Sequence, residues 1–136
     1  MSLFEKLPDL KEIKGGFGEQ LAAYYGKAAF SNAYVIHDVL IDGKDGHKSQ
    51  IDLIIIAANG IYVVEVKTFN GAKIYGDGRK QEWQYYLCGH RYDFYNPIMQ
   101  NKKHVEYLKN MLSYFVGVEF YSVVLILCDD CKVSNV

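Results

Sequence analysis

The sequence predicts an α/β fold in which a helix is followed by three strands, several shorter strands, a second helix and a last strand. Three observations carry that reading. Residues 50–57 and 61–67 are nearly continuous aliphatic runs separated by Ala58-Asn59-Gly60, and runs apolar on both faces belong at the centre of a covered mixed sheet. Asn96-Pro97 supplies an N-cap residue and a proline at the first helical position. A further aliphatic run at 121–128 follows the segment that Asn96 would cap.

Taken in order, the elements each have a local reason. Gly15-Gly16 interrupts a charged leader at 1–14, and 17–27 has helical composition without proline. There Glu19, Ala22, Ala23 and Gly26 fall at i, i+3, i+4 and i+7, a small-residue face carrying one carboxylate. Such a stripe lets a helix approach a sheet closely, although Glu19 could equally be a solvated residue favoured by the helix dipole.

Residues 33–41 are β-branched and aromatic and read as a strand, and the polar cluster 42–49 reads as a loop. The runs 50–57 and 61–67 form a hairpin. Residues 71–75, 82–87 and 90–95 read as shorter strands, joined by turns at Gly76-Asp77-Gly78 and Cys88-Gly89. In the second helix Val105, Leu108, Leu112 and Phe115 recur at helical spacing with Met111 beside them, and Lys102, Lys103 and Lys109 fall off the stripe. Gly117 is its expected stop.

The chain has 136 residues, 50% hydrophobic and 23% charged, enough to bury a core and incompatible with intrinsic disorder. One domain, 15–136, is expected after the leader. The longest aliphatic runs fall far short of the roughly 20 residues that span a bilayer. The opening residues mix Glu5, Lys6, Asp9, Lys11 and Glu12 with apolar side chains and contain no signal-peptide pattern, which predicts a cytoplasmic protein. Three cysteines are expected to be reduced thiols, and Cys128-x-x-Cys131 is half of a zinc motif with no second pair.

The net charge of −1 hides a gradient. Residues 67–109 hold eight basic and four acidic groups, so the middle of the chain is the candidate polyanion surface. Trp83, Tyr85, Tyr86, Tyr92, Phe94 and Tyr95 lie there near Arg79, Lys80 and Arg91, a mixture able to stack on bases and hold phosphates. Aromatic residues in short strands more often fill a core.

The chemistry concentrates in the hairpin. Glu65 and Lys67 share one face near the end of an aliphatic strand, where unpaired charge is costly. A turn centred on Asn59-Gly60 sets Asp52 opposite Lys67, and one centred on Ala58-Asn59 sets Asp52 opposite Glu65. Both registers bring Asp52, Glu65 and Lys67 together, with Cβ separations of roughly 5 to 8 Å. Two converging carboxylates can hold Mg²⁺ or Mn²⁺, and an adjacent lysine can orient water or offset charge on a phosphate. The alternative is a structural salt bridge of Lys67 with either carboxylate. Gln100 and His104 lie one turn apart near a helix N-terminus that suits a phosphate, or are simply polar residues on an exposed turn.

These stretches resemble the nuclease-related domain family, NERD, a branch of the PD-(D/E)xK nuclease superfamily. The matching residues are Gly16-Phe17-Gly18-Glu19, Gln50-Ile51-Asp52, Gly60-Ile61-Tyr62-Val63-Val64-Glu65-Val66-Lys67, the segment 71–76 with Ile74, Trp83, and Asn96-Pro97-Ile98-Met99-Gln100-Asn101 with His104. Ile51 stands where the superfamily's nominal proline would be.

The resemblance implies a restriction-endonuclease-like α-β-β-β-α-β core with helices flanking a mixed sheet. It implies that Asp52 and Glu65 ligate the metal, that Lys67 is catalytic, that Glu19 completes the acidic set and that Gln100 borders the site. The expected function is a Mg²⁺-dependent nuclease acting on DNA, in processing or repair, with Lys102, Lys103, His104 and Arg91 toward the nucleic acid. The alternative is a catalytically inactive nucleic-acid-binding or assembly module of the same fold. The aromatic segment 83–95 is a candidate homodimer surface, and a further domain or partner is expected to set substrate preference.

Overall fold

The computed structural model describes residues 33–43 and 45–136. The expected leader, the helix at 17–27 and Glu19 lie outside the described residues. Six strands form one sheet: β1 (Tyr34–Asp42), β2 (Lys48–Ala57), β3 (Gly60–Asp77), β4 (Glu82–Leu87), β5 (His90–Tyr95) and β6 (Phe120–Ser134). Strands β1 to β5 lie in sequence order with antiparallel pairing, and β6 pairs parallel with β3. One helix is described, α1 (Pro97–Met111).

The fold is therefore α/β with a mostly antiparallel sheet. The expected strands at 61–67 and 71–75 are one element of 18 residues. They remain continuous because β6 runs beside both halves, and the pairing register shifts only between Phe69 and Lys73. Strand β6 likewise extends six residues beyond its aliphatic run, to Ser134, because its partner is long. Parallel pairing with a distant strand leaves no local signature in the residues that it recruits.

The first hairpin takes the second of the two expected registers: Ala57 pairs with Gly60 and Leu53 with Val64. Ala58 and Asn59 form its turn. Gly60 has φ +146°, and a Cβ there would lie 2.6 Å from the Glu119 carbonyl, which accepts the Ile61 N–H at 2.8 Å. The glycine thus serves the close approach of the chain entering β6. In the second hairpin, Cys88 and Gly89 both have positive φ, 51° and 78°, the conformation that matches the twist of a two-residue loop.

The aromatic segment divides between two faces. Trp83 is 1% exposed, with its Nε1–H donating to the Asp77 carbonyl at 2.9 Å. Phe69, Tyr85 and Phe94 pack beside one another, with Phe69 centroids 4.7 and 4.8 Å from the other two rings. Tyr75 and Tyr86 meet edge to face on the other side at 5.6 Å. Core filling accounts for the first group.

Helix α1 covers Ile41, Ile51, Ile54 and Val63 through Leu108, with Val105, Tyr107 and Leu112 around them. Leu53, Ile55, Val64 and Val66 form a second buried cluster. The helix ends at Met111 with Leu112 as its cap, short of the expected end at Gly117, and Phe115 is 66% exposed in the loop beyond. The buried positions of α1 are Pro97, Asn101, His104 and Leu108, so its inward stripe includes two polar residues. Among the described residues, no helix is long and apolar enough to cross a membrane.

Asn96 holds the start of α1 in two directions. Its Oδ1 accepts from the Ile98 and Met99 N–H groups at 2.9 and 3.3 Å. Its Nδ2 faces the carbonyls of Asp77, Gly78 and Lys80 at 3.4, 3.3 and 2.7 Å. Asn96→Ala removes both sets and should cost roughly 2–4 kcal/mol, read by urea unfolding through Trp83 fluorescence. Asn96→Asp should give no rescue, because its carboxylate can cap the helix but cannot donate to those carbonyls.

Candidate active site

Strand β3 is hydrogen-bonded along both edges, and its two edges differ. Strand β6 follows one edge from Ile61 through Asp77. The other edge carries β2 only as far as Val64 and β4 from Lys73 onward, so neither covers it between these points. The Val66 N–H, just beyond the last paired residue, donates instead to Asp52 Oδ2 at 2.8 Å. A side-chain carboxylate has taken the place of a strand carbonyl.

Strand β2 is irregular at this position. Ile51 and Ile54 are in the same buried cluster under α1, which strict two-residue alternation forbids, and Leu53 is in the other. In β1 the residue facing Asp52 by register is Asp38, which is skipped in the pairing and has φ +56°. Aspartate is one of the few residues that tolerate this left-handed conformation. Gln50 Nε2 donates to Asp38 Oδ1 at 3.0 Å beside it.

Glu65 follows Val63 on the face covered by α1 and is 2% exposed. Its Oε1 is 2.7 Å from Lys67 Nζ, and Oε2 is 3.6 Å from His104 Nδ1. The Lys67 side chain is 27% exposed, so it links the buried carboxylate to the surface. An ionised carboxylate with this burial requires such partners, since its desolvation costs several kcal/mol by general estimates.

His104 enters from the second turn of α1 and is also 2% exposed. Its Nε2 lies 3.1 Å from Ser49 Oγ. Burial pushes the imidazole pKa below its usual value; the Asp52 charge opposes that shift and Lys67 adds to it. The ring is therefore neutral at pH 7, within reach of both charges. Asn101, one turn earlier and fully buried, donates from Nδ2 to the Val63 carbonyl, Ser122 Oγ and the Val123 carbonyl at 2.8, 2.9 and 3.1 Å. It ties α1 to the β3–β6 seam and so fixes the height at which His104 meets Glu65.

Asp52, Glu65, Lys67 and His104 are thus brought together, and Gln100 is half-buried one turn before His104. His104 faces the sheet, so it does not sit on an exposed turn. Lys102 and Lys103 are exposed on α1, with Lys103 Nζ 5.2 Å from the Tyr95 ring centroid. Arg91 is exposed on β5 and pairs with Asp93 at 3.3 Å. Ser49 carries no expected role, because the polar run 42–49 reads as a loop, whereas β2 begins at Lys48. The alternation of Ser49 and Ile51 on one face is the signal that could have found it.

Burial pushes the Cys128 thiol up to about 11, and the Cys131 thiol is raised as well, so both are protonated at neutral pH. Among the described residues no three His, Cys, Asp or Glu side chains are grouped to hold a metal. Asp52 and Glu65 remain a two-carboxylate oxygen donor set. That set fits Mg²⁺, which commonly keeps several waters and takes only one or two protein carboxylates.

The family model described as nuclease-related domain matches residues 14–127, a stretch that contains all of these site residues. A protein of Bacillus anthracis described as uncharacterised is 36% identical over 94 residues, covering 68% of this chain and 44% of the relative. The matched stretch is therefore less than half of that relative's length. No solved structure matches the chain.

The neutral, buried His104 has a consequence for stability. Below its ordinary pKa of 6.5 the unfolded chain takes up a proton that the native imidazole still refuses, so stability falls as the pH falls through that window. The urea midpoint should decrease between about pH 7 and about pH 5.5, and His104→Gln should flatten that part of the profile.

Proposed function

Because the chain belongs to the nuclease-related domain family, we propose that it is a metal-dependent nuclease domain hydrolysing phosphodiester bonds of DNA, with a role in DNA processing or repair. The observation that carries this reading is the convergence of Asp52, Glu65 and Lys67 where β3 loses β2. In this reading residues 15–136 form one domain with a restriction-endonuclease-like core. The order of three antiparallel strands, α1 and a parallel β6 on β3 supports that arrangement.

Asp52 and Glu65 would hold Mg²⁺ or Mn²⁺, which when bound would supply positive charge to the scissile phosphate. Asp52 is oriented for this by the Val66 N–H, and Glu65 is held by Lys67 from one side. Lys67, which is partly exposed, would orient the attacking water and offset charge that grows on the phosphate oxygens. Water adds to phosphorus and releases a proton to solvent as the bond to the leaving oxygen breaks, and the departing oxygen takes up a proton from solvent. Glu19 would complete the acidic set and Gln100 would border the site. Lys102, Lys103 and Arg91 would contact the DNA backbone.

The cytoplasm is the compartment of this reading. Pairing of two copies through 83–95 would suit cleavage of both strands. A further domain or partner would direct substrate choice, in keeping with the greater length of the Bacillus anthracis relative. The Lys67–Glu65 contact at 2.7 Å favours a second reading, in which the pair is only a structural salt bridge and the domain binds nucleic acid without cutting it.

Cleavage of supercoiled, linear and single-stranded DNA with Mg²⁺, Mn²⁺ or chelator separates the two. Metal-dependent cutting by the wild type should fall about a hundredfold or more in Asp52→Asn and in Lys67→Ala, with the fold retained. A folded wild type that binds DNA and never cuts it would establish the second reading. Under either reading, Lys102→Glu with Lys103→Glu should weaken DNA binding and lower its salt slope by about two.

A further inference from the structure

The mechanism above leaves one buried group without a task. His104 is on the sheet-facing side of α1 and meets the Glu65 oxygen that Lys67 does not, with Nε2 3.1 Å from Ser49 Oγ and Nδ1 3.6 Å from Glu65 Oε2. Both ring nitrogens therefore face a polar atom, one from β2 and one from β3. The proton arrangement follows from the partners. At 3.6 Å Nδ1 and Oε2 lie side by side but beyond hydrogen-bond distance; an ionised carboxylate only accepts, so the arrangement that suits both partners has the ring proton on Nδ1, turned toward Oε2, with Nε2 accepting from the Ser49 hydroxyl.

We propose that Ser49 and His104 are positioning residues that fix the plane of the Glu65 carboxylate for a divalent cation. The inference rests on the nuclease reading and adds to it two residues that touch neither metal nor DNA. Lys67 engages Oε1, and being partly exposed it is free to turn toward substrate; the enclosed imidazole stays. The Ser49 hydroxyl at Nε2 fixes the rotation of the ring, and the ring beside Oε2 in turn limits the rotation of the carboxylate. Asn101 supports the pair by locking the helix one turn earlier. Outer partners that orient a metal ligand typically change metal affinity or activity by 10- to 100-fold.

Two substitutions of His104 separate this role from simple packing. Asn places an amide nitrogen near the position of Nδ1, so His104→Asn keeps a donor toward Glu65 and loses the link to Ser49. Gln extends its amide toward the position of Nε2, so His104→Gln keeps a partner for Ser49 and loses the donor to Glu65. Mn²⁺ affinity is measured by calorimetry in the intact chain, without DNA, beside Trp83 fluorescence as a check of folding. His104→Gln should weaken Mn²⁺ binding by about 10- to 100-fold, and His104→Asn by clearly less. Ser49→Ala should weaken it several-fold, with Ser49→Thr restoring the wild-type value, because only the hydroxyl is needed.

Folded Gln and Asn variants with equal affinity, or a Ser49→Ala variant that matches the wild type, would overturn the positioning role while leaving the nuclease reading intact. If the His104 variants do not fold, the Ser49 pair decides alone. A folded wild type with no Mn²⁺ binding and no cleavage would overturn both readings together.

Discussion

A strand can carry only one neighbour on each edge at each residue, and the site depends on how β3 meets that constraint. Its β6 edge is occupied along nearly the whole length, so β2 and β4 must share the other. They do so by covering different halves. The interval between them leaves backbone groups without a strand partner, and a buried N–H without an acceptor costs about 1–3 kcal/mol in general. Asp52 answers this at Val66. The same contact that repairs the sheet holds the Asp52 carboxylate beside Val66, the residue after Glu65, so the repair and the candidate metal ligand are one residue.

The remaining polar groups follow from where that interval lies. Glu65 lies on the face that α1 covers, so it is buried beneath a helix rather than solvated. A carboxylate there needs nitrogen partners from more than one direction. Lys67 comes from the same strand two residues on, and His104 comes from the helix. The helix can present a histidine at that height because Asn101 fastens it to the β3–β6 seam and Asn96 fixes its first turn to the chain leaving β3. Both amides serve as adaptors between layers whose backbones cannot hydrogen-bond to each other.

Much of this was legible locally. The second hairpin, the N-cap at Asn96, the start of α1 and the grouping of Asp52, Glu65 and Lys67 all follow from short-range chemistry: turn residues, capping and two-residue alternation. Where the reading stopped short, the missing information lay in distant pairing. Nothing near Gly71 announces that β3 continues, because the continuity is imposed by β6 some 58 residues later, where Gly71 N–H also meets Asp129. The helix ends early for a related reason: Leu112 still packs on the sheet, whereas Tyr114, Phe115 and Val116 after it are exposed.

The sequence by itself determined which residues could carry chemistry, since charges at alternate positions in an aliphatic strand are costly wherever they lie and must be placed with purpose. It also determined the order of the elements from the first described strand onward and left two registers for the hairpin. Only the tertiary structure chose between those registers, and in the chosen one Gly60 sits against the Glu119 carbonyl of the chain entering β6. It alone turned His104 inward and gave Ser49 a part. Those roles arise from the packing of a helix on a sheet edge, and no spacing within either segment encodes the distance between them.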